Sequence, residues 1–208
     1  CAEALWRCEN PTDALLECQA AADLAKDAPH VKAAVLLLMG DIHAEEPLSD
    51  YKKAIQFHMK AIEIAEPAAE DRHPAIRLAA KEVLVDAHLG AALDVASGNW
   101  RNKDVAVAKW LAGAGSRNED LIAEAGRAEE HRLHLAAVAL RACAGAKDAV
   151  DPAPWGKSLI ENAIALVKDR EDPLYRLWVR RQAAGGMCDC LRVSHWRGET
   201  EQALSCGE

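Results

Sequence analysis

YKKAIQFHMKAIEIAEP, residues 51–67, decides the fold of this chain. Tyr51, Ala54, Ile55, His58, Ala61, Ile62 and Ala65 recur at i, i+3, i+4, i+7, i+10, i+11 and i+14, which puts them on one face of an α-helix. Lys52, Lys53, Gln56, Lys60, Glu63 and Glu66 take the opposite side. Phe57 and Ile64, seven residues apart, widen the apolar surface toward a second neighbour. A helix with two apolar edges needs two packing partners, so the spacing predicts a helix inside a stack of helices.

The bulk composition agrees. The 208 residues are half hydrophobic but only 4% aromatic, with alanine supplying much of the remainder, which suits closely packed helices. A formal net charge of −8 argues against a general nucleic-acid binder, because phosphate contacts need clustered cations. The longest apolar run, 33–40, is far shorter than the ~20 residues of a membrane span. The cysteine count of seven is odd, and the chain is too large to depend on a disulfide framework, so reduced core thiols are expected. The sequence opens without methionine and reads as a piece of a longer protein, a single helical domain over 1–208 with a cytoplasmic setting. A cysteine at position 1 also admits an acylated lipoprotein start, a weaker reading.

On both sides of 51–67, breakers divide the chain into about ten helices, or five antiparallel pairs. Residues 2–9 read as a helix tail. Asn10-Pro11 is an N-cap followed by proline at the first helical position, opening a helix over 12–27. A helix over 30–45 carries Leu36, Met39, Gly40 and His43, and Ser49 is the expected cap of the 51–67 helix. After a link over 67–73, Pro74 starts a helix to about Ala96 with Gly90 at a small position, and Gly98 suits a left-handed cap. A short helix is expected over 104–114, then a loop at 113–118. Asn118 followed by Glu119 and Asp120 reads as a cap opening a long helix to Ala144. Helices over 155–168, 173–192 and 199–206 complete the chain, with Asp172 capping the second of these. Trp6, Trp100, Trp155 and Trp196 stand just before or at the start of second helices, and this recurrence supports a repeated unit.

The spacing of Tyr51, Ala54, His58 and Ala61 before a late proline resembles the second helix of a tetratricopeptide (TPR) repeat, and Leu36, Met39, Gly40 and His43 match its first helix. The likeness is strict only over 33–67. The tryptophan intervals of 55 and 41 residues exceed the ~34 of a standard repeat. The resemblance implies an all-α, right-handed α-solenoid whose first helices line a concave, peptide-binding face. It carries the groove to Ala34, Leu37, Asp41 and Glu45, then to Leu84, Ala87, Ala91 and Asp94, then to His131, His134, Val138 and Arg141. The lysines and asparagine of the family's clamp for chaperone tails are missing at Leu37, Asp41 and Glu45, so that ligand is rejected.

His131 and His134, three apart beside Glu130, could share a metal, but a third ligand is not in sight. Cys188, Cys190, His195 and Cys206 are the strongest metal-like constellation, yet residues 188 and 190 lie about 200° apart on a helix, so joint ligation needs unwinding at Gly185-Gly186. The expectation is no metal and no cofactor. Arg176, Arg180 and Arg181 form a basic patch in an acidic chain, either a solvated face or a dock for an acidic partner. No GxSxG, P-loop, HExxH or GxGxxG occurs, so a non-enzymatic protein- or peptide-binding scaffold is the leading reading, and a spacer or self-associating segment the alternative.

Overall fold

The computed structural model describes residues 1–7, 9–146, 150–168 and 170–198. Among them run nine α-helices and no strand: α1 (Ala2–Arg7), α2 (Pro11–Leu24), α3 (Pro29–Ala44), α4 (Tyr51–Ala68), α5 (Pro74–Ser97), α6 (Lys103–Ala125), α7 (Ala128–Gly145), α8 (Ala153–Lys168) and α9 (Pro173–Trp196). The all-helical class read from the sequence is what the described residues adopt. The tenth expected helix, over 199–206, lies outside the described residues.

Local chemistry explains most of the boundaries. Asn10 caps α2 by accepting from the Asp13 amide at 3.3 Å, and Asp172 caps α9 by accepting from Leu174 at 2.9 Å. Proline occupies the first turn of α2, α3, α5 and α9, where its missing N–H costs nothing. Pro67 lies inside α4 rather than closing it. In the last turn it forgoes a single backbone bond, and the helix stops one residue later.

Three local expectations are corrected. Asp50, not Ser49, caps α4, accepting from the Lys53 amide at 3.2 Å, while Ser49 takes a left-handed φ of 43° in the turn. Gly98 is extended, with φ of −79°, and serves space instead of handedness: a Cβ there would run into the Trp100 indole. The largest correction concerns 103–127. The chain runs straight through the predicted loop as α6 and breaks instead at Gly126 and Arg127, both at positive φ. Gly113 does not end a helix because it faces the His88 ring, where a Cβ would sit 2.6 Å from Cδ2. Close packing against α5 outweighs the glycine's weak helix propensity. Asn118 is therefore mid-helix and buried, not a cap.

The helices pack as neighbours along the chain, α3 on α4, α5 on α6, α7 on α8, with α4 also on α5. A second set of contacts skips one helix: α3 meets α5, α5 meets α7, and α7 meets α9. The apolar interior follows this pattern in three adjoining regions. One joins α2–α5 around Leu36, Ile42 and Leu84; the next joins α5–α7 around Leu89, Leu111 and Leu121; the last joins α7–α9 around Leu133, Leu140 and Leu159. Alanines at the closest contacts, including Ala14, Ala33, Ala54, Ala61, Ala65 and Ala80, are fully buried and let helix axes approach. Trp100 precedes α6 and Trp155 stands in the first turn of α8, both against the middle core; Trp196 is the last residue of α9. No helix among the described residues is long and apolar enough to cross a membrane.

Candidate functional site

His58 is the most unusual buried group. It is 1% exposed at the centre of the α3–α4–α5 contact. Its Nδ1 lies 2.7 Å from Asp94 Oδ2 on α5, and its Nε2 lies 3.3 Å from Asp41 Oδ1 on α3. The ring fits only because Gly40 and Gly90 lack side chains: a Cβ at either would collide with it, at 2.6 Å from Cε1 in the case of Gly90. Both nitrogens face carboxylate oxygens, which only accept, so the arrangement suits an imidazolium donating twice. Burial works against the charged ring. The hydrogen bonds and charges of Asp41 and Asp94 outweigh it and hold the pKa up at about 9. Burial also raises Asp94, despite the opposing effect of His58. Taken from the Asp94 side, the pair looks under-compensated, and its Oδ1 indeed has no hydrogen-bond partner. Both shifts nonetheless retain a proton in the cluster, and the ring geometry assigns it to His58.

A second polar site lies between α5, α6 and α7. A cleft of about 230 Å³ is lined by Glu82, Val85, Asp86, Asn118, Leu121, Glu130, His131 and His134. Asn118 is 1% exposed, and its Nδ2 has no hydrogen-bond partner; the buried Nε2 of His131 has none either. An unmet buried polar atom costs about 1–3 kcal/mol, so two in one cleft leave hydrogen-bonding capacity that the protein's own groups do not meet. On the cleft's rim, His134 Nε2 lies 3.0 Å from Asp86 Oδ1, a hydrogen bond that raises the His134 pKa, while burial lowers that of His131. Glu130 is fixed from behind by Tyr175, whose hydroxyl donates to it at 2.7 Å. Burial and then this bond push the Tyr175 pKa up to about 12.

The candidate groove residues divide three ways. Leu37 is half-buried, and Glu45 and Ala34 are exposed at α3. Asp41 keeps 42% of its side-chain surface while holding His58. His131, His134, Val138 and Arg141 reach the surface of α7, with Arg141 3.8 Å from Asp189 of α9. Ala87, Ala91, Leu84 and Asp94 do not: all are at most 1% exposed. Their assignment to a binding face is corrected, because they are the surface on which α5 meets its neighbours. In the basic patch, Arg180 and Arg181 are exposed and Arg176 is half-buried.

Of the cysteine constellation, Cys188 and Cys190 stay apart. Helix α9 is continuous through Gly185-Gly186, leaving Cys188 exposed and Cys190 buried on different sides, and Cys206 lies outside the described residues. Among the described residues no group of three or more His, Cys, Asp or Glu is placed to hold a metal ion.

Sequence reasoning missed Asn118, Asp86 and Glu82. The signal for Asn118 was available: Leu111, Ala114, Asn118 and Leu121 share one helical stripe, but only if 103–125 is read as a single helix. No protein-family model, curated protein or solved structure matches this chain.

Proposed function

We propose that the chain is a TPR-like α-solenoid module that binds a peptide segment across the face of α3, α5, α7 and α9, without catalytic chemistry. Support for the repeat comes from neighbouring pairs combined with helix-skipping contacts, and from Gly40 and Gly90 recurring where α4 inserts its ring. The observation that carries the binding reading is the pair of unmet buried atoms, Asn118 Nδ2 and His131 Nε2, in the α5–α7 cleft. A peptide backbone supplies both acceptors and donors, so it can complete both groups. The face is also graded in charge. Asp41, Glu45, Glu82 and Asp86 lie toward α3 and α5; on α7 the acidic Glu130 stands at the N-terminal end of the cleft, and His134 and Arg141 follow it. A ligand with basic residues at one end and acidic residues at the other fits that gradient.

Selection of a displayed random-peptide library on the immobilised protein tests this. Enriched peptides should bind wild type and lose about tenfold or more in affinity on Asn118→Ala, following the ~1–3 kcal/mol of one buried hydrogen bond. His134→Glu, on the exposed rim, should weaken them without altering the fold. Failure to enrich any peptide, or equal binding by these variants, counts against this face as the binding surface.

A further inference from the structure

The two end regions of the described chain expose helical stripes of the same shape and opposite charge. On α2, Asp13, Leu16, Glu17, Ala20, Asp23 and Leu24 fall at i, i+3, i+4, i+7, i+10 and i+11, and every one is exposed. Leu16 keeps 65% of its surface and Leu24 87%. On α9, Leu174, Leu177, Trp178, Arg181, Ala184 and Gly185 fall at the same intervals and are likewise all exposed. Leu174 keeps 76%, Leu177 61% and Trp178 40%, with Arg180 alongside. An outer helix face is ordinarily charged and polar; leucines and a tryptophan on it mark a surface built for contact. Within the described residues Asp13, Glu17, Asp23, Arg180 and Arg181 enter no ion pair; Asp13 accepts from Asn10 Nδ2 at 2.7 Å and Asp23 from Gln19 Nε2 at 3.3 Å, both neutral donors, so no opposite charge offsets these groups.

We infer that the α9 stripe of one copy docks on the α2 stripe of another, giving head-to-tail self-association. Leucines and the Trp178 ring form the apolar seam, and Arg180 and Arg181 meet Asp13, Glu17 and Asp23. Small residues, Ala20 on one side and Ala184 and Gly185 on the other, let the helices approach. Like-with-like pairing is disfavoured, because two α2 stripes bring carboxylates together and two α9 stripes bring guanidinium groups together. The contact is therefore heterologous, and it builds open chains unless its rotation closes a ring. A seam of three to four helical turns is small for a protein interface, so association is weak and grows with concentration.

Sedimentation velocity of the 208-residue chain in a rising concentration series tests the inference. At low salt the weight-average mass should climb past that of a dimer, and high salt should reduce it. Arg180→Glu/Arg181→Glu, which makes both stripes acidic, and Glu17→Lys/Asp23→Lys, which makes both basic, should each weaken self-association by about tenfold or more. An equimolar mixture of the two variants should regain it, with circular dichroism confirming unchanged helix content. A wild-type chain that stays monomeric, association indifferent to these charges, or a mixture that stays monomeric would each overturn the proposal. None of these readouts depends on peptide binding.

Discussion

Replacing His58 by alanine should cost about 3–5 kcal/mol of folding stability, the range for breaking a buried ion pair by removing one partner. Two losses combine. The ring vacates a space that Gly40 and Gly90 cannot fill, leaving a cavity between α3, α4 and α5. Asp94, 1% exposed, keeps a carboxylate with neither its ion-pair partner nor a hydrogen bond to its Oδ1. The double variant His58→Leu/Asp94→Leu should recover most of the loss, since apolar groups of similar volume replace a buried pair at little net cost. Urea unfolding of wild type, His58→Ala and the double variant decides the matter. If the double variant is as unstable as His58→Ala, removing the unpaired carboxylate restores nothing, and the unpaired charge is not the cause of the loss.

The second large effect is a fall in stability as pH rises from about 6.5 to about 9. His58 is held up at about 9 in the folded chain against an ordinary 6.5, so the folded state keeps a proton that the unfolded state has released. The stabilisation is complete below 6.5 and is lost as pH rises through the folded value, about 3 kcal/mol in all at 1.36 kcal/mol per unit. Asp94, raised by burial, faces the same proton across its 2.7 Å contact with His58, so it adds no separate contribution. His43, His88 and His131 are lowered by burial, so their contribution is complete above 6.5 and declines only on acidification. Stability should therefore peak near pH 6.5. His134, raised by its bond to Asp86, adds a smaller fall, discounted because half its surface is in water. Denaturant midpoints at pH 6.5 and pH 9 should differ clearly for wild type and much less for His58→Leu. Equal pH slopes in the two proteins would show that the ring does not hold the proton.

Helix α4 was legible from periodicity because its face is set by side chains from Tyr51 to Ala65, all within one short stretch of chain. The caps at Asn10 and Asp172 were legible because a cap needs only its own next turn. The junction of α6 and α7 was not. Gly113, Gly115 and Asn118 look locally like a loop and a helix start, and only the His88 ring opposite Gly113 reveals why a helix passes through. Of the candidate groove residues, Leu37, Asp41, Glu45, His131, His134 and Arg141 keep some exposed surface. Ala87 and Ala91 are buried, because α5 meets neighbours on more than one side and one-dimensional spacing does not say which faces are covered.

The stretch 51–67 illustrates the division. Periodicity and composition alone make it an amphipathic helix in a stack of helices, in an all-α, alanine-packed chain, with His58 at an inward-facing position. Those follow from the 3.6-residue period and the propensity of alanine, which act within a few turns. That His58 joins three helices through two carboxylates, instead of merely filling space, follows from the folded arrangement. Its partners Asp41 and Asp94 lie 17 and 36 residues away, and its seat is made by two glycines on different helices. A proton held by groups that distant depends on burial and on angstrom-scale distances, and these exist only once the helices have come together.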